Sequence, residues 1–186
     1  MDPDAGVDRY LSREPDALDR GALHVMFALR SASELPRYLE DPTLPTTVQI
    51  ACLESLLTNL RLLLEFTVRG QVKKDVHRNL YLPNWHPEHT DRLHELERLW
   101  PFISGHVSHL GDVRVRLPHP TDLGPPRRPE DWARVVADLR DALRPFVVEL
   151  DRVGHPQADA FLTGITYADS VAAQGPAPAD EPYPGM

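Results

Sequence analysis

The stretch TTVQIACLESLLTNLRLLLEFTVRG, residues 46–70, decides the fold. Ile50, Leu53, Leu57, Leu60, Leu64 and Val68 recur at intervals of three and four, with Leu56 and Leu63 beside them. That period is the signature of one wide apolar helix face. Thr46 or Thr47 is the expected N-cap and Gly70 the expected stop. A helix this apolar belongs at the centre of a bundle. Arg61 and Glu65 interrupt it at an i, i+4 spacing and so share a face.

Working outward, the text on both sides has the same period. Upstream, Leu18, Ala22, Val25, Met26 and Leu29 form a helical stripe after Pro15, and Pro36 is expected to kink or end that helix. Downstream, QVKKDVHRNLYLPNWHP (71–87) breaks the pattern, with room for a short helix near 74–79 and an irregular link carrying Tyr81 and Trp85. Leu93, Leu96, Leu99 or Trp100, Ile103, Val107 and Leu110 then mark a third helix, which Pro101 either starts anew or kinks and Gly111 ends. After a proline-rich loop, residues from Trp132 to Leu150 repeat at three and four, with Pro145 inside and Gly154 as the stop. The segment 158–165 adds one short turn or helix. The expected fold is therefore all-α, a single antiparallel bundle of four main helices plus short ones. Its expected limits are a loose arm over 1–14, the bundle over 15–168 and a proline-rich tail over 169–186, too poor in large apolar residues to fold alone. VRVRL, from 113 to 117, is the only strand-like run.

A chain of 186 residues accommodates one domain with a substantial core. Its 41% hydrophobic and 26% charged residues are ordinary for a globular protein. No run matches the roughly 20 apolar residues that span a bilayer, so no membrane segment is expected. The acidic, polar start MDPDAGVDRYLSREPD does not resemble a secretory signal, and the expected compartment is the cytoplasm. A net charge of −8 excludes broad electrostatic binding to DNA or other nucleic acid, though not a local site. The single cysteine, Cys52, has no disulfide partner within the chain and reads as a small buried hydrophobe.

The nine histidines raise the question of a metal. Convergent ligands on a helix usually stand four apart, whereas His86 and His89 are separated by two residues at a proline-marked start, and His94 follows His89 by five. That spacing fails for a ligand pair, and neither a metal nor another cofactor is expected. A different pair stands in WPFISGHVSHLGDVRVR, residues 100–116, where His106 and His109 lie three apart on one flank of the Ile103, Val107, Leu110 stripe. From the residues alone they are either packing and surface groups or proton-transfer groups.

The order of features has a counterpart in a known family. An apolar helix ending RLLLEF, a segment with KKDV, aromatics in YLPNW, a helix closing on HVSHLGDVR and a last amphipathic helix opening at a tryptophan occur in turn. This resembles the HEPN-like all-α class of bacterial proteins over about residues 47–150. Arg61 and Glu65 match the arginine and acid of its first motif, with Leu62 where asparagine is frequent. His109 matches the histidine of the second motif, and Arg114 the following arginine. The resemblance implies one of two functions. In a metal-independent ribonuclease, His109 would move protons at the ribose 2′-hydroxyl and scissile phosphate while Arg61 or Arg114 supplied the cation. The family's catalytic arginine, however, stands five to seven positions before its histidine, and Phe102, Ile103 and Ser104 occupy those places here. The other reading is a non-catalytic interaction or RNA-associated module of a bacterial defence or toxin–antitoxin type system, homodimeric through the helix carrying His109. There Glu65, Asp75 and His106 belong to a polar network with His109 that fixes helix register.

Overall fold

Five long helices, α1 (Ala17–Glu34), α2 (Thr46–Leu64), α3 (Asp91–Ser108), α4 (Pro129–Arg152) and α5 (Ala158–Ala173), make up most of the computed structural model, which describes residues 16–69, 77–108 and 129–174. Among the described residues there is no strand, so the class is all-α. The VRVRL run lies outside them.

The leucine face of α2 is the centre of the packing. Leu53, Leu56, Leu57, Leu60, Leu63 and Leu64 are buried against Ala22, Val25 and Leu29 of α1, Leu96 and Ile103 of α3, and Leu139, Leu143 and Phe146 of α4 in one continuous core. By length and composition alone, Thr46–Arg69 is apolar enough to cross a membrane, which the sequence reading did not anticipate. In this fold its leucines instead face neighbouring helices. Cys52 on the same helix is half-buried rather than buried, and partial desolvation pushes its thiol pKa up.

The ends of α2 differ from expectation for backbone reasons. No threonine caps its start: Pro45 holds the N-cap position with ψ 143°, and its rigid φ sets the chain's entry into the helix. At the other end α2 passes into a π-helical turn, Glu65–Arg69. The turn carries both Phe66 and Thr67 into the core, and their carbonyls face a buried side chain from beyond the turn. Arg78, only 5% exposed, satisfies them: its Nη1 donates to Thr67 O at 2.6 Å and to Phe66 O at 3.5 Å, and its Nε to Trp85 O at 3.4 Å. Burial lowers its guanidinium pKa. A cation against the carbonyl end of a helix is favoured by the macrodipole, which offsets part of the cost of burying it. Arg78 opens the short 3₁₀ turn Arg78–Leu80, within the described part, 77–87, of the broken stretch.

Pro36 ends α1 in a 3₁₀ turn, Leu35–Tyr38, as its position predicts. Pro101 and Pro145, by contrast, lie within continuous α3 and α4. Gly154, at φ +66°, turns the chain from α4 into α5, a conformation that costs a residue with a Cβ. The segment read as one short turn or helix over 158–165 is a helix of 16 residues, and it runs to Ala173, past the expected tail boundary at residue 169. Its small apolar residues Ala168 and Val171 are buried, and Asp169 accepts a hydrogen bond from Arg144 of α4, which with the charge of Arg140 holds its carboxyl below the ordinary carboxylate range.

α1 and α5 run parallel, since their contacts step the same way along both. Gln157 Nε2 donates to Asp19 Oδ1 at 2.6 Å, Gly164 meets Met26, and Arg30 lies 4.2 Å over the Tyr167 ring, while the Tyr167 hydroxyl donates to Glu34. The approach at Gly164 requires a missing side chain: a Cβ there would stand 2.2 Å from Met26 Sδ and 3.0 Å from Met26 Cβ. Gly164→Ala is therefore expected to lower stability by about 1 kcal/mol, overpacking outweighing the roughly 1 kcal/mol gained in helix propensity. In a Met26→Ala background, which removes the Sδ and Cγ clashes and leaves only the 3.0 Å approach to Cβ, the same substitution should cost less. Urea denaturation of the four proteins checks this, and a stabilising Gly164→Ala in the unaltered background would contradict it.

Candidate functional site

The residues that the sequence placed together at the end of α2 do meet. Arg61 Nε donates to Glu65 Oε1 at 3.0 Å across one helical turn, with the arginine side chain 32% and the carboxylate 13% exposed. The same oxygen accepts the indole N–H of Trp100 from α3 at 3.4 Å. Arg69, at the end of the π-helical turn, stacks its guanidinium over that indole, Cζ to ring centroid 3.8 Å. Trp100 thus donates through its edge to the acid and presents its face to a cation.

This geometry follows from the chain. Arg61 and Glu65 are i, i+4 on α2, and the π-helical turn places Arg69 four further on against the same indole. On α3 the buried Leu93, Leu96 and Ile103 fix the helix face, and Trp100, half-buried at its edge, reaches out from that stripe toward α2. Chemically the cluster is a carboxylate satisfied by one charged and one neutral donor, beside an exposed cation on an aromatic face. An isolated pair as exposed as Arg61–Glu65 stabilises by about 0.2–1 kcal/mol, so the cluster does more to orient α3 against α2 than to hold them together.

The other expected site residues stand as follows. His106 falls within α3, six positions beyond Trp100, but its side chain is outside the described residues, as are His109, Arg114 and Asp75. The described partners of Glu65 are Arg61 and Trp100, both named above, and neither is a histidine. Among the described residues no three histidine, cysteine, aspartate or glutamate side chains gather as a metal site would require. Arg69 and Trp100 are the members that sequence reasoning missed. The signal was present in the i, i+4, i+8 run Arg61, Glu65, Arg69, but Trp100 read only as an alternative core position.

A shallow groove of about 500 Å³ runs between α3 and α4, floored by Leu96, Leu99, Phe102 and Val135. Its rim sets Arg98 and Arg134 among Glu95, Asp131 and Asp138, so charges of both signs are interspersed with a slight acidic excess.

No protein-family model matches the chain, and no curated protein or solved structure matches it either.

Proposed function

We propose that this protein is a non-catalytic, HEPN-like helical interaction module associated with RNA. In that role it would work as a homodimer within a bacterial defence or toxin–antitoxin type system. The observation that carries the reading is the engagement of Arg61. The arginine that the resemblance offers as the cation of a ribonuclease is hydrogen-bonded to Glu65, which is held in turn by Trp100. A guanidinium committed to an internal carboxylate is poorly placed to stabilise the charge that develops on a phosphorane. Glu65, Arg61 and Trp100 then set the register of α3 on α2, and the exposed Arg69, held over the Trp100 indole, supplies a cation for the phosphates of a single strand.

The reading is tested by filter binding of a mixed single-stranded RNA pool in EDTA. The expected result is retention that falls with salt and weakens about tenfold in Arg69→Glu, with no shortening of the RNA. Absence of retention by the unaltered protein would overturn the RNA association.

A further inference from the structure

A mainly apolar groove of about 340 Å³ lies where the end of α1 meets α4 and α5, and it shares no residue with the Trp100 cluster. Its floor is made of small groups, Pro36, Val136, Ala137, Ala168 and Val171. Short side chains on three facing elements leave the space open instead of filling it. The volume lies at the lower end of the range for small-molecule sites, room for a ligand of about ten heavy atoms.

The charges around the groove are unequal. Arg37 stands on one wall, with Nη2 donating to Val171 O at 2.8 Å and both terminal nitrogens 3.3 Å from Gln174 Oε1. Its hydrogen-bond partners among the described residues are therefore neutral, a carbonyl and an amide. Arg140, also on the wall, is already shared between Asp141 at 3.1 Å and Asp169 at 3.3 Å. Glu130 lies ten positions before it on α4, about 15 Å along the helix. An anion entering this groove would be drawn to Arg37, whose described hydrogen-bond partners include no carboxylate, and Glu130, the one acid among the described lining residues, limits the negative charge the groove accepts.

We propose that the groove is a binding site for a small monocarboxylate with an apolar body, its carboxylate on Arg37 and its chain along the Val136, Ala137 and Ala168 floor. A carboxylate suits a planar guanidinium better than any neutral head, because the paired hydrogen bonds carry opposite charge. A dianion is disfavoured by Glu130.

The test is calorimetric titration of the full chain with sodium octanoate, which has the right length and a single charge, and in parallel with 1-octanol. The expected result is saturable one-to-one binding of octanoate, about tenfold weaker for 1-octanol and for Arg37→Gln, and lost in Ala137→Trp, which fills the floor. The two variants alter different walls, and their thermal melts show that each is folded. Absence of octanoate binding to the unaltered protein would overturn the proposal. So would equal affinity for the alcohol, or octanoate binding that survives Ala137→Trp.

Discussion

Phe66→Ala is expected to lower the free energy of unfolding by about 3–5 kcal/mol, a large share of the roughly 5–15 kcal/mol that holds a domain folded. Phe66 has no solvent exposure and sits where four elements meet. Its ring lies 5.4 Å from Phe146 of α4 and 5.8 Å from Phe161 of α5, and 6.0 Å from Tyr81 of the link between α2 and α3. Removing it opens a cavity whose walls belong to separate elements and so cannot collapse together, and it also removes the edge-to-face ring contacts. Tyr81 is anchored on the far side by its hydroxyl, which donates to Leu18 O at 2.9 Å, so it is not free to move into the space. Urea denaturation should show a lower midpoint at an unchanged slope. Val148→Ala, at a position 67% exposed, serves as the comparison and should lie within about 0.5 kcal/mol of the unaltered protein. Equal stability of Phe66→Ala and Val148→Ala would contradict the packing described here.

Arg78→Met is expected to cost about 2–3 kcal/mol. Methionine keeps much of the aliphatic stem but removes the guanidinium donors from the buried carbonyls of Phe66 and Thr67. The loss is reduced, because an ionised guanidinium no longer has to be desolvated, but the macrodipole at the end of α2 had already recovered part of that cost. Arg78→Lys should fall between the two: it keeps the charge, but one ammonium cannot reach Thr67 O and Trp85 O as the planar fork does. Midpoints in urea give the order. An Arg78→Met protein as stable as the unaltered one would mean that the arginine does not cap this turn.

How far the sequence led depended on how each element is stabilised. The stripe of α2 was legible because dense leucines at helical spacing permit few alternatives to a central helix. The pair Arg61 and Glu65 was legible for a similar reason, since i, i+4 groups on a regular helix must be neighbours. α5 was underestimated because its buried side is largely alanine, glycine and valine, residues that pack closely without giving a strong periodic signal. The π-helical turn had no local signal at all: it is accompanied by Phe66 entering the core and by an arginine twelve residues further on. Pro45 displaced Thr46 as the N-cap because the proline fixes the extended entry that a threonine would otherwise have supplied. Trp100 was half-read: spacing gave it a place near the core, but not the N–H that must find a partner once the indole is partly buried.

The function proposed above has the α2–α3 cluster as architecture and no cleavage of RNA. Its most direct test is incubation of a mixed RNA pool in EDTA with the unaltered protein and with His109→Ala, and comparison of the fragment lengths. The account predicts no cleavage above a protein-free control for either protein. Metal-independent cleavage by the unaltered protein that His109→Ala abolishes would contradict it, and would show that a histidine outside the described residues works with a cation other than the one held by Glu65.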